Sequence, residues 1–462
     1  MRKLLPLLAL ALAVPIMASA QTQTWAFSRV FPDSSQRKAH GQTHGIVVDR
    51  EGKVWIQPNN AANGDSVFVP ALGRRVISNA IYIFNANGTP AAFSPLLILQ
   101  YPNGSRDTLG GFLGRNSTGA LAWETRSGRG LAMDNQGNIV AAHFNSIFKI
   151  NATTGAGISR VLNASLNGTA ANGLSGPAVD RTGRVYATGV FPGDAIVIYN
   201  ADMTFRETIA PLDEGFSRVT GVSATGDTLY HFPYDKKAVY RYKRPDEFSA
   251  FNPKPDTLLR GMAVESFTTH PTTRQLWMGA GSLNDLPTPP YFRNRWYAFN
   301  ANDLTMPFPP RRDSIVWNGT KSDGTPSDGR PRAIAFTQNG MTAYVGQFSN
   351  FGGELFGVRR YSRITVGIDA YGRWVPDDVL VSVGPNPTRG TTTVRYQGLA
   401  GVSVRIELYD VAGRLVQTLV DGVQAGGEQT TTFDTSGMAA GVYYVRYSAD
   451  GAVVTRPVSV VR

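Results

Sequence analysis

One phrase, written six times, restricts this chain more than anything else in it. "HGIVVDREGKVWI" (His44 to Ile56), "RGLAMDNQGNIVA" (Arg129 to Ala141) and "SGPAVDRTGRVYA" (Ser175 to Ala187) share a plan. An alternating apolar run meets an aspartate, a glycine follows three residues later, and a second alternating run begins. Aspartate caps the local amides of a type I turn and glycine tolerates its exit, so each phrase reads as a two-stranded hairpin. "TGVSATGDTLYHF" (Thr220 to Phe232), "SFTTHPTTRQLWM" (Ser266 to Met278) and "RAIAFTQNGMTAYV" (Arg332 to Val345) are degraded copies. Each copy leads to a third alternating run that ends in a polar turn, as in "AIYIFNANG" and "RWYAFNAND". A unit of four short strands cannot bury its faces alone, and radial stacking of such units solves the problem. The expectation is all-β: a six-bladed β-propeller over residues 21–368. Asp134 and Asp180 are 46 residues apart, one blade length, whereas Asp49 and Asp134 are 85 apart. No second Asp-Gly phrase fills that gap, so a long insertion in the first unit is preferred to a seventh blade.

The six copies, across roughly residues 24–365, resemble NHL and related β-propeller repeats, best in "HGIVVDREGKVWI" and "IYIFNANG". That resemblance implies a fold and is nearly silent on function. "TWAFSRVF" (Thr24 to Phe31) is expected to supply the outer strand of the last blade.

Residues 1–20 read as a signal peptide: Arg2 and Lys3, then the apolar "LLPLLALALAVPIM", then "ASA" before Gln21. Its removal would leave an exported, soluble chain with no transmembrane segment. Cysteine is absent, which excludes disulfides, thiol catalysis and cysteine metal sites. After a linker at 369–379 the composition shifts to short, turn-punctuated strands, expected to form a small immunoglobulin-like β-sandwich over 380–462. This stretch looks like the type IX (Por) secretion system C-terminal sorting domain. Asn386-Pro387 matches its opening, and Tyr409, Asp410, Gly413 and Arg414 match its "YDxxGR" hairpin. Asp434, Gly441, Val442 and Tyr443 match a later stretch, with Met438 in the usual leucine place. The resemblance implies the type IX secretion machinery as a partner, passage through the periplasm across an outer membrane, and a surface or extracellular destination.

The formal charge is +11, or +9 once Arg2 and Lys3 are gone, without any block of basic residues. Such a surface suits anionic polysaccharide or lipid headgroups. Nucleic acid is not expected, because the chain is exported and carries no recognised module. His40 and His44 are four apart but off any helix, so the metalloprotease logic fails. Inner strands should begin at His44, Arg129, Ser175, Thr220, Ser266 and Arg332 and ring the channel mouth. Glu265 is the one acid nearby, and two arginines oppose a hard cation, so no metal, cofactor or catalytic residue is nominated. "NGTKSDGTPSDGRP" (Asn318 to Pro331) lacks the alternating carboxylates of a calcium loop. Guanidinium forks beside hydroxyls suit a carboxylate or sulfate; alternatively Arg129 and Arg332 pair with Glu124 and Asp328. The long connections (57–79, 102–128, 281–293, 309–331 and 347–353) should share one face. They carry aromatics that could stack on sugar, Trp123 and Trp317 foremost, or else pack the loops. Ser66, Thr108 and Ser314 each follow an aspartate and precede an aliphatic residue, which resembles a bacterial O-glycosylation acceptor. The chain thus reads as an exported propeller that binds glycan, another surface polymer or a protein. A propeller enzyme of lactonase or polysaccharide lyase type is the alternative.

Overall fold

The computed structural model describes residues 22–462 without 34, 37–38, 40, 60–64, 163–164, 167–168, 171–172, 191–195, 210–215, 283–284, 289–290, 303, 305–312, 320–326, 328, 349–356, 369–373, 377–379, 399–402, 425–426 and 450–451. The signal peptide, His40, Phe351, Asp328, most of the linker and the centre of the calcium-like loop therefore lie outside the described residues. Two compact units emerge, one over Trp25–Arg363 and one containing Ile364–Arg462. Among the described residues no helix is long and apolar enough to cross a membrane.

In the first unit each repeat becomes an antiparallel sheet with its strands in chain order. The innermost strands are Thr43–Val48, Gly128–Met133, Ala178–Val179, Ser217–Val222, Val264–Thr269 and Arg330–Phe336. Each meets the next, and the last meets the first, so the sheets close into a β-propeller. The outer place in the last sheet goes to Thr22–Val30, which pairs with Val358–Ile368 and so joins the first strand of the propeller to its last. The insertion expected after Asp49 consists of hairpins: Ser66–Val69 with Arg74–Ile77, Ile98–Gln100 with Arg106–Thr108, and Gly111–Arg115 with Leu121–Thr125.

Side chains of a strand alternate between faces, and here both faces are covered by neighbouring sheets. Ile46 and Val48 pack with Ala333, Ala335 and Tyr344 of the last sheet. Val47, between them in sequence, packs with Ile139, Ala141 and Phe148 of the second. The same division recurs round the ring, giving one apolar cluster between each consecutive pair of sheets. Each large buried side chain contributes roughly 1.5–3 kcal/mol, so the inter-sheet clusters replace the missing disulfides.

The turns behave as the sequence requires. Asp49 Oδ1 accepts from the amides of Glu51 and Lys53, both at 2.9 Å, and Oδ2 accepts from the Trp55 indole at 2.9 Å. Asp180 repeats this with Thr182 and Arg184 amides and the Tyr186 hydroxyl. Gly52 and Gly183 sit at φ +83° and +84°, where a side chain would be strained.

The second unit is a sandwich. One sheet holds Leu380–Gly384, Thr391–Gly398 and Gly427–Asp434; the other holds Leu415–Val423, Ser403–Tyr409, Gly441–Ala449 and Ala452–Val460. Val394, Tyr396 and Phe433 of the first face Ile406, Val445 and Tyr447 of the second across one core.

Candidate functional site

The pairing register breaks near the start of five inner strands. The skipped residues are His44, Arg129, Arg218 with Val219, Glu265 and Arg332. A β-bulge leaves a residue out of the ladder and re-aims its side chain. These five bulges gather charged and polar groups at one end of the channel. A cavity of about 40 Å³ there is lined by His44, Arg218, Ser266 and Arg332, among others. Toward the Asp-Gly turns the channel widens to about 370 Å³ and is lined chiefly by apolar residues such as Val48, Met133, Val222 and Phe336.

The charges at the mouth are unequal. Arg332 Nη2 lies 2.9 Å from Glu265, whose carboxylate is fully buried, and Arg330 Nε lies 3.3 Å from Asp285. Burial raises the Glu265 carboxyl above its ordinary value, with Arg332 opposing and Asp285 adding to the rise. Burial also pushes Asp285 up, but Glu265 and Arg330 more than offset it, so that carboxyl sits below its ordinary value. Among the described residues Arg129 and Arg218 have no carboxylate partner. Arg129 lies over the Phe144 ring at 5.2 Å and Arg218 over Tyr234 at 4.1 Å. The Nε of each is buried without a hydrogen-bond partner. Burial, then Arg218, pull the Arg129 guanidinium down to about 10, so it stays charged at neutral pH. Four guanidiniums thus face two carboxylates, and the mouth is net positive.

His44 completes the ring in neutral form. Burial, then Arg332 and Arg129, hold it well below its ordinary value. Its Nδ1 lies 2.8 Å from the Gly128 carbonyl. A carbonyl only accepts, so Nδ1 carries the proton and Nε2 keeps a lone pair. That Nε2 is buried with no hydrogen-bond partner.

The other nominated residues divide. Ser175 Oγ and Thr220 Oγ1 are buried 3.1 Å apart and bond each other across adjacent sheets. Ser266 Oγ donates to the Pro331 carbonyl at 2.6 Å and accepts from the Trp296 indole at 3.1 Å. These hydroxyls hold neighbouring blades together. Trp317 is buried against Trp296, and its indole donates to Ser327 at 2.6 Å, so its ring faces are covered. Trp123 is half-buried on its hairpin and donates to the Ile77 carbonyl at 2.9 Å. Of the pairings weighed for the arginines, that with Asp328 falls outside the described residues; Arg332 takes Glu265, and Glu124 takes Arg126. Ser66, Thr108 and Ser314 are all half-buried, and Ser66 accepts from Arg75.

Sequence reading missed Arg218 and Asp285, and put Ser266 where Glu265 belongs. One column could have corrected the second: Gly45, Gly130, Gly176, Gly221, Ser266 and Ala333 are all small. A Cβ on Gly130 would come within 2.7 Å of Gly176 Cα, and one on Gly45 within 2.6 Å of the Leu131 amide. At Gly45 and Gly130 the inner strands approach too closely for any side chain, and elsewhere the column takes only a small one. Aligned on that column, the preceding residue is His44, Arg129, Ser175, Thr220, Glu265 and Arg332.

In the second unit the nominated sorting residues build turns and strand ends. Asn386 donates to the Pro457 carbonyl at 3.0 Å and accepts from the Ser459 amide at 2.8 Å, so the Asn386-Pro387 opening lies against the final strand. Asp410 caps the amides of Ala412 and Arg414, Gly413 has φ +75°, and Arg414 Nε returns to Asp410 at 2.7 Å. Tyr409 donates to Glu407 at 2.8 Å, and Tyr443 donates to the Ala439 carbonyl at 3.0 Å, just before the strand that begins at Gly441.

Comparison with known proteins agrees for this unit. Residues 382–460 match the family described as the Secretion system C-terminal sorting domain. No curated protein matches the chain. Among solved structures it is similar to PorZ, an essential surface component of the type-IX secretion system of Porphyromonas gingivalis, at 13% identity and TM-score 0.36 over 90% of this chain and 51% of that one. The chain thus spans about half of PorZ. It is also similar to regucalcin, a calcium-binding protein from Agrobacterium tumefaciens, at 12% identity and TM-score 0.43 over 76% of this chain and 97% of that one. A luciferin-regenerating enzyme matches at 10% identity and TM-score 0.42 over 72% and 94%. The propeller architecture rests on the cyclic packing of the sheets, not on these likenesses. Among the described residues no three His, Asp or Glu side chains gather as a metal would need.

Proposed function

We propose that this chain is an exported cell-surface or secreted binding module whose channel mouth holds an anionic group of a glycan or other surface polymer. The observation that carries the reading is the pair Arg129 and Arg218, two guanidiniums with no carboxylate partner among the described residues; Arg218 lines a small cavity, and Arg129 acts on His44 of the same lining. One water needs about 10–15 Å³ on this scale, so 40 Å³ accepts a carboxylate or sulfate but no sugar ring. A net-positive, partly desolvated mouth binds such a group through charge-assisted hydrogen bonds. The sorting domain supports delivery by type IX secretion, and deletion of residues 380–462 should leave the propeller in the periplasm. Normal surface delivery of the truncated chain would remove that part of the reading.

Arg332 is unsuited to a binding test, because its loss strands the buried Glu265. The double variant Arg129→Ala with Arg218→Ala relieves like-charge repulsion and leaves Glu265 and Asp285 with their closer partners Arg332 and Arg330. It should weaken binding of a glucuronate-containing oligosaccharide by about ten- to a hundredfold while the melting temperature stays within about 2 °C. Unchanged calorimetric affinity would show that the arginines serve the fold.

One observation favours an enzyme as second reading. The Nε2 of neutral His44 has a free lone pair beside arginines able to neutralise a uronate carboxylate. A base so placed could take the proton α to that carboxylate, forming the C4=C5 double bond as the C4–O bond breaks, and the imidazolium could return that proton to the departing glycosidic oxygen, as in a polysaccharide lyase. Release of ultraviolet-absorbing unsaturated uronide from polyuronates, lost in His44→Ala, would support it.

A further inference from the structure

A second cavity, of about 250 Å³, lies between the inserted hairpins and the second sheet of the propeller. Phe112 of the Gly111–Arg115 strand and Thr108 of the Arg106–Thr108 strand line it, together with Arg126, His143, Ser146 and Phe148. We propose that this cavity binds one uncharged pyranose ring of a free glycan.

Size comes first. At about 10–15 Å³ per water the cavity has room for roughly 17–25 water-sized bodies, which is enough for one pyranose ring with its hydroxyls. The lining is mixed. Phe112, one face of which Arg126 covers, and the edge of buried Phe148 supply ring carbons for the C–H side of a sugar, and Thr108 and Ser146 supply hydroxyls in the same lining. Charge separates this cavity from the mouth. The Arg126 head group lies over Phe112 at 4.6 Å and over Phe144 at 4.8 Å, and donates to Glu124 at 2.8 Å. Asp107, also in the lining, is paired with Arg160. Burial pulls His143 down to about 4, so it is neutral. Every charge here is compensated, whereas the mouth carries an excess of guanidiniums. A neutral ring suits the cavity, and an acidic group suits the mouth.

The two places adjoin. Phe144 carries Arg126 of the cavity and also Arg129 of the mouth against its ring, the latter at 5.2 Å. Its φ of +44° is a backbone conformation that an aromatic residue adopts only when its surroundings enforce it. A glycan could therefore place its acidic group in the mouth and a neighbouring neutral residue beside the hairpin. This joint pose deepens the reading of the mouth and rests on it for the acidic end alone; the pyranose site stands by itself.

The test uses the full mature chain from a host without protein O-glycosylation. Saturation-transfer NMR is run with methyl glucoside, galactoside, mannoside and N-acetylglucosaminide, and calorimetry with glucuronate. At least one neutral glycoside should bind saturably with a Kd of about 1–10 mM, as expected for so small a ligand. Phe112→Ala should weaken that binding at least tenfold, and Phe112→Tyr should restore it, which separates a lost platform from a damaged hairpin. Arg218→Ala should leave glycoside binding intact while glucuronate binding falls, so failure at the mouth and failure at the cavity read differently. No saturable glycoside binding, binding that survives Phe112→Ala, or glycoside binding lost in Arg218→Ala would each overturn the proposal. So would a sugar found covalently on Thr108 in the natively exported chain, since the occupant would then be attached rather than bound.

Discussion

Asp134 of the propeller and Asp410 of the sorting module cap the same turn. Asp134 Oδ1 accepts from the amides of Gln136 and Asn138 at 2.9 and 2.8 Å; Asp410 Oδ1 accepts from Ala412 and Arg414, both at 2.9 Å. A glycine at positive φ closes each turn. The second oxygens differ. Asp134 Oδ2 meets Lys149 Nζ at 2.8 Å, and these side chains are 0% and 5% exposed. Lys149 in turn donates to the Ala201 carbonyl of the next sheet. Asp410 Oδ2 meets Arg414, whose side chain is 81% exposed. One local motif is thus a buried joint between blades in the first unit and a solvated hairpin tip in the second. The difference lies in what stacks on the turn. It extends to titration, because all five histidines precede residue 364.

Acid should separate the two units most sharply. Burial holds His44 well below its ordinary value, His143 at about 4 and His231 at about 3. Below pH 6.5 the unfolded chain takes up these protons and the folded chain does not. Stability is therefore lost as pH falls, by about 1.4 kcal/mol per pH unit for each histidine. Glu265 acts in the opposite sense, since its raised carboxyl takes up a proton sooner in the folded state, but it is one group against four, because burial also lowers His270. From pH 6.5 to 5 the propeller should lose about 4 kcal/mol while the sorting module holds, seen as two diverging calorimetric transitions. Transitions that move together would break the comparison.

Asp134→Ala comes next. It strands a buried ammonium and should cost about 3–5 kcal/mol in denaturant unfolding of the propeller. Asp410→Ala should be smallest, close to the error of the measurement, because it removes a turn cap and an exposed ion pair. Equal losses at the two sites would mean that burial of the turn is not what distinguishes them.

Particular residues show how far the sequence could be read. Asp49, Asp134 and Asp180 announced their turns because a capped turn is satisfied within five residues. Ile46, Val47 and Val48 announced a strand buried on both sides. Trp123 and Trp317 were indistinguishable in sequence, yet one lies half-buried on a hairpin and the other inside an inter-sheet cluster. Arg218 was invisible, since its place depends on a two-residue bulge in its ladder.

The amino-acid sequence by itself determined the repeat, the turns, the closing N-terminal strand and the sorting module, because these follow from periodicity and from short-range hydrogen bonding. The tertiary structure alone decided which charges at the mouth are compensated. Arg332 meets Glu265 from an adjacent blade, and Arg129 and Arg218 meet no carboxylate among the described residues. That outcome depends on how closely neighbouring inner strands approach at Gly130 and Gly176, a distance no local pattern records.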